Sequence, residues 1–348
     1  MIESRKEDHI DICLNEDVQI EKDYWGMLKF YHDPAPEIDF DEIDTKVEFL
    51  DTVLSAPIML SAITGGYKGA EEINSVLAGA AEEVGIPFSV GSQRAAIDNQ
   101  DLRSSYEVVK DHDPPLVFGN IGAPQLVKQG DKDPYGVEEA LEALNMIDGD
   151  YLTIHFNFLQ EAVQPEGDKN ARGLLEALTV LSDKVPTIVK ETGAGIPAET
   201  AKRFEKTGID AIDVGGMGGT SFSAVEHFRI DDEHKKSLAK ALWDWGIPTP
   251  VSTLECSAAV DVPIISTGGI HNGLHVAKGL VLGADVGGIA GGILPYVRKG
   301  KEEVIEYLEH VIHGLKISMF LQGCADIDEL KKRKLIVTGE LRDWIGTV

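Results

Sequence analysis

Eight short apolar runs, rich in β-branched residues, recur at residues 56–60, 87–90, 116–119, 151–155, 187–190, 211–214, 263–266 and 286–290. Between many of them lie segments with apolar residues at helical spacing, at 69–84, 135–146, 172–181, 197–206, 273–282 and 301–315. Strands that alternate with helices must pair in parallel, because each helix carries the chain back to the starting edge of the sheet. Runs this apolar are buried on both faces, and eight such units predict a closed (β/α)₈ barrel. Prolines at positions 57, 87 and 263 fit the scheme, since a missing amide costs least at a strand's first residues.

The chain of 348 residues exceeds the roughly 250 of one such barrel but falls short of two. It reads as one domain, with a barrel at 54–319, an N-terminal extension at 1–53 and a C-terminal tail at 320–348. Neither end shows clear periodicity, and both are candidates for closing the active site or for subunit contacts. The longest interval between strands holds the run from Gly215 to Thr220 and an acidic stretch at 226–232, and it predicts a substrate-covering loop.

A formal net charge of −27 excludes general binding to nucleic acid or to an anionic membrane, because no basic stripe is present. The acidity fits a solvated surface or adaptation to salt. Cys13, Cys256 and Cys324 lie far apart without metal-ligand spacing, which fits free thiols in a reducing cytoplasm. No apolar run is long enough for a membrane span.

In this architecture chemistry sits at the C-terminal ends of the strands. Those positions hold Ser61 and Thr64 after the first strand, Ser92, Gln93 and Arg94 after the second, and Asn120 after the third. His155, Asn157, Gln160 and Glu161 follow the fourth, and Lys190 ends the fifth. Gly268-Gly269-Ile270 and Ala290-Gly291-Gly292 follow the last two strands, where barrels of this kind bind phosphate through backbone amides. Lys190, on a buried strand, must either lose its charge or meet a negative group, which would be a neighbouring carboxylate or a phosphate-bearing cofactor with an electron-rich ring. FMN satisfies the second reading, with Asn120 and Ser92 on the polar edge of its ring. Arg94 suits a bidentate anion contact. Glu161 is either a solvated carboxylate or an oxygen ligand for Mg²⁺, and His155 is either a structural or a functional histidine.

Taken in order, these segments resemble the type 2 isopentenyl diphosphate isomerases, which are flavin enzymes on a (β/α)₈ barrel. The resemblance is carried by Arg5-Lys6-Glu7-Asp8-His9, Ser61-Ala62-Ile63-Thr64-Gly65-Gly66, Gly91-Ser92-Gln93-Arg94, Gly119-Asn120-Ile121-Gly122 and the stretch from His155 to Asp168. Lys190-Glu191-Thr192-Gly193, Gly215 to Ser221 and Gly268-Gly269-Ile270 continue it. It implies conversion of isopentenyl diphosphate to dimethylallyl diphosphate with reduced FMN, Mg²⁺ and NADPH as reductant, in a tetramer or octamer. FMN would be held by Ser61, Ala62, Ile63, Thr64, Ser92, Asn120, Lys190, Thr220, Gly269, Ile270, His271, Ala290 and Gly291. Arg5, Lys6, Ser92, Gln93, Arg94 and Gln160 would contact substrate, and Glu161 would hold Mg²⁺. Gln160, His155 and Asn157 would serve catalysis, orienting or relaying around a proton handled at flavin N5.

Ile63 and His271 depart from the methionine and arginine usual in that family, which changes one flavin contact at Ile63 and one charge near the FMN phosphate at His271. A rival reading on the same scaffold is an FMN-dependent 2-hydroxy acid oxidoreductase, using His271 and Arg298 after the late strands. A non-catalytic flavin or phosphate sensor is a third, against which the intact set of His155, Asn157, Gln160 and Glu161 stands.

Overall fold

The computed structural model describes residues 2–346, with side chains from Lys6 onward. All eight expected runs form strands of one closed parallel barrel. They are β1 (Ile58–Leu60), β2 (Phe88–Ser89), β3 (Val117–Gly122), β4 (Tyr151–Phe156), β5 (Thr187–Glu191), β6 (Ala211–Asp213), β7 (Ile264–Thr267) and β8 (Val286–Ile289). Apart from Tyr151, His155, Phe156 and Glu191, the residues of these strands are buried, as a sheet covered on both faces requires. Helices at Ala70–Val84, Val137–Ile147, Leu174–Ser182, Ala198–Glu205, Thr249–Ala259, Gly273–Val281 and Lys301–Phe320 follow β1 and β3 to β8 and form the outer ring. After β2 the ring is broken into short turns of helix, including Arg94–Asp98 and Ser104–Glu107.

Three findings revise the reading of the extensions. The first helix, α1 (Ile2–Asn15), packs beside α2 (Phe222–Arg229), with Val18, Ala224 and Val225 forming a small apolar cluster between them. The interval after β6 is therefore not an open loop. It folds into α2 and a second helix at Glu233–Ala241, capped by Ser221 and Asp232, whose side chains accept the Ala224 and Lys235 amides.

A hairpin of Val47–Phe49 and Thr52–Leu54 carries Phe49 and Leu54 into a core with Met59, Phe118, Ile188 and Ile265. Finally, Leu28–Phe30 pairs antiparallel with Leu335–Val337, so the extension and the tail are tied to each other. The two ends thereby satisfy backbone groups of one another.

Candidate active site

Barrel register builds the centre of the site. Gly122 pairs with His155, His155 with Lys190, and Lys190 with Asp213, a single row across β3, β4, β5 and β6 at their C-terminal ends. Lys190 meets Asp213 at 3.0 Å, and both side chains are buried. The carboxylate reading of Lys190 thus holds, and the lysine also lines the main cavity. Asp213 was not foreseen; its partner is set by strand register rather than by any local motif.

His155 Nδ1 lies 2.6 Å from Asn120 Oδ1, while the Asn120 amide nitrogen donates to the Val90 carbonyl at 3.1 Å. That order makes Oδ1 the acceptor and puts the imidazole proton on Nδ1. Burial first, and then the charges of Lys190 and Lys6, push His155 down to about 3.

Beyond β4, Asn157 donates to Gln160 Oε1 at 3.2 Å and to Glu161 Oε1 at 3.1 Å. Gln160 in turn donates to Glu226 Oε1 at 3.0 Å. Glu226, fully buried on α2, also meets His9 of α1 at 3.0 Å and accepts from Arg229 Nε at 2.8 Å. Burial alone would raise its pKa, but these partners hold the carboxyl below its ordinary value. Glu226 joins three distant segments of sequence, and it is the chief site residue that sequence reasoning missed. Glu161 accepts from Gln164 Nε2 and from the Asp168 amide, both at 2.6 Å. Asn157 Oδ1 is buried and has no hydrogen-bond partner among the described residues.

At the mouth, Lys6 Nζ donates to the carbonyls of Gly65 and Ser92, each at 2.6 Å, which fixes α1 over the loops after β1 and β2. Arg94 pairs with Asp168 at 2.8 Å. The side chain of Arg5 lies outside the described residues.

Opposite this polar cluster stand the glycine loops. A Cβ on Gly288 would fall 2.0 Å from Thr267 Oγ1, one on Gly219 would fall 2.9 Å from the Gly269 nitrogen, and one on Gly291 would fall 3.1 Å from Thr220 Oγ1. The space is shaped by absent side chains, as a close approach of backbone to ligand demands. Burial lowers the pKa of His271, an effect partly offset by Asp23.

One cavity collects Lys6, Ala62, Ile63, Thr64, Ser92, Arg94, Asn120, His155, Asn157, Gln160, Glu161 and Lys190 with Thr220, Gly269, Ile270, His271, Ala290 and Gly291. Of the predicted residues whose side chains are described, two are not among its walls. Gln93 is fully buried and spends its side chain on the Asn120 amide at 2.8 Å and the Ala143 carbonyl at 2.7 Å. It therefore braces β3 instead of reaching substrate. Ser61, also buried, faces Thr267 Oγ1 at 3.3 Å.

Glu191 borders the same cavity through the loop it organises, accepting the amides of Gly193, at 2.7 Å, and of Ala194. Burial raises it from 4.5 to about 7 despite those amides. Between these values the folded chain keeps a proton that the unfolded chain releases, so stability falls as pH rises through the window. Glu191→Gln keeps an acceptor for both amides and removes the titration. Its thermal midpoint is expected to vary less with pH between about 4.5 and 7 than that of the parent; an equal slope in both proteins would contradict this.

The FMN-dependent dehydrogenase family profile matches residues 175–337, the part of the barrel that carries β5 to β8 and the late glycine loops. The chain belongs, more narrowly, to the isopentenyl-diphosphate delta-isomerase family. It is 46 % identical to the isopentenyl-diphosphate delta-isomerase of Archaeoglobus fulgidus over 98 % of this chain and 97 % of the relative. It is 47 % identical to that of Thermococcus onnurineus, over 98 % and 93 %, and 43 % identical to that of Picrophilus torridus, over 99 % of each. Among solved structures, a lactate oxidase of Pediococcus acidilactici matches with a TM-score of 0.63 at 16 % identity, covering 97 % of this chain and 88 % of the oxidase. A flavocytochrome b2 matches at 0.68 and 13 %, covering 94 % and 82 %. These two establish the fold alone.

Proposed function

We propose that the protein interconverts isopentenyl diphosphate and dimethylallyl diphosphate, using reduced FMN and Mg²⁺. The observation that carries this reading is the meeting, in one cavity, of the glycine cradle after β7 and β8 with Lys6, Arg94, Gln160 and Glu161 across the mouth. The cradle suits the cofactor phosphate through backbone amides, and Lys190 and Asn120 lie where they would face the ring. Reduced FMN, when bound, supplies an electron-rich face next to the carbon that gains positive character.

Lys6 and Arg94 would bind the diphosphate. Glu161 offers a hard oxygen ligand, and Asn157 Oδ1, with no hydrogen-bond partner among the described residues, offers another, which is the donor chemistry Mg²⁺ takes alongside substrate phosphates. Among the described residues no group of three or more His, Cys, Asp or Glu forms a metal cluster, so the metal would depend on the diphosphate for most of its shell. An amide is no base, but Gln160 has one N–H on the Glu226 carboxylate and keeps a second. In this reading Glu226 sets the polarity of Gln160, and His155 and Asn157 fix the neighbouring groups.

The oxidoreductase reading loses its arginine. Arg298 is exposed, pairs with Asp11 at 2.9 Å and is absent from the cavity wall. NADPH as reductant, a cytoplasmic location and assembly into tetramers or octamers belong to the proposed reading. The exposed Leu274, Ile317 and Leu321, which border one surface groove, are apolar area that such assembly would cover. Among the described residues no helix is long and apolar enough to cross a membrane.

The test is direct. With reduced FMN bound, chelation of Mg²⁺ should abolish conversion of isopentenyl diphosphate, and added Mg²⁺ should restore it. Glu161→Gln should raise the Mg²⁺ concentration for half-maximal rate by about 10- to 100-fold, the effect typical of disturbing a metal's surroundings. Full activity in chelator would remove the metal from the mechanism.

A further inference from the structure

The cradle after β7 is held from behind by residues that do not line the cavity. Gly268 and Gly269 have φ of +127° and +70°, conformations open to glycine and strained for other residues. The carbonyl of Gly268 accepts from the indole Nε1 of Trp25 at 3.0 Å. The carbonyl of Gly269 lies 3.1 Å from His275 Nδ1, on α3 (Gly273–Val281). The two rings stack on each other at 5.9 Å and 15°. Trp25 is itself fixed, because the buried Lys278 donates to its carbonyl at 2.7 Å.

The imidazole is a donor here for a definite reason. Asn272 Oδ1 accepts the His275 amide at 2.9 Å as the cap of α3, which leaves the Asn272 amide nitrogen facing His275 Nε2 at 3.4 Å. Nε2 is therefore the acceptor and Nδ1 carries the proton. Burial holds His275 down at about 4, so the ring stays in that neutral form.

Both peptide units are trans, and in a trans peptide the carbonyl and the following N–H point in opposite directions. Fixing the Gly268 and Gly269 carbonyls outward turns the Gly269 and Ile270 amides inward. Both residues line the cavity, and neither amide has an acceptor among the described residues. We propose that Trp25 and His275 are positioning residues for phosphate recognition, which orient these two amides before any ligand arrives. The proposal rests on the reading of this cavity as an FMN site. It gives the N-terminal extension a task beyond covering the barrel. It also shows how a loop that carries His271 keeps an anion site, through donors set in advance rather than through side-chain charge.

Two ligands separate this role from general damage, since FMN and riboflavin differ only in the phosphate. Trp25→Phe keeps an aromatic stack and loses the donor, and His275→Phe does the same. Binding is read by quenching of flavin fluorescence. Each variant is expected to weaken FMN by about 5- to 10-fold, the loss of one well-placed hydrogen bond, while riboflavin binding stays within about twofold of the parent. His275→Gln, which retains a side-chain donor, should recover most of the preference for FMN. Equal weakening of both ligands, or a preference unchanged in both phenylalanine variants, would overturn the proposal and leave the FMN reading intact. A parent protein that binds FMN no better than riboflavin would overturn the phosphate site itself, and the proposal with it.

Discussion

Lys190→Met is expected to cost about 3–5 kcal/mol of folding free energy, because it leaves Asp213 charged, buried and without its cation. The pair is 3.0 Å apart, and Asp213 also accepts the Gly215 amide at 3.1 Å. Adding Asp213→Asn removes the stranded charge and keeps an acceptor for Gly215, so the double variant should regain most of the lost stability. Denaturant midpoints of the two single variants and the double variant measure this. The double variant separates structure from chemistry, because its repaired fold still lacks a cation in the row beside His155. It should bind FMN poorly and turn over little. Recovery of turnover together with stability would make Lys190 purely structural.

Gln160→Ala is the second large effect. The side chain links Asn157 to Glu226, a carboxylate it shares with His9 of the same cavity. Its removal should lower turnover by about 10²- to 10⁴-fold, the range for losing a group that acts on proton transfer. FMN affinity should change little, since the glycine cradle lies on the opposite wall. Visible absorbance and rate, measured on the same sample, give both numbers. An unchanged rate would remove Gln160 from the chemistry.

The barrel was legible because its signal is local: short apolar runs, prolines at their starts and helical spacing between them survive in one dimension. The broken helical turns after β2 gave no such period, and residues 94–111 were left unread as helix. The glycine run at 215–220 argued for a loop, and the packing of α2 against α1 decided otherwise. The candidate site residues that follow strands mostly line one cavity. Gln93 was misassigned because position after a strand does not say which way a side chain turns, and hydrogen bonds to Asn120 and Ala143 turn it into the wall. Glu226, Asp213 and Trp25 escaped notice because their main partners come from other elements. Register and packing, not spacing, bring them together.

The central claim is a shift of a double bond without net electron transfer. Anaerobic protein carrying dithionite-reduced FMN and Mg²⁺, supplied with isopentenyl diphosphate and followed by proton NMR and visible absorbance, tests it most directly. The account predicts dimethylallyl diphosphate in large excess over enzyme while the spectrum of reduced flavin stays unchanged. No product with FMN bound, or product matched one for one by oxidation of the flavin, would contradict it.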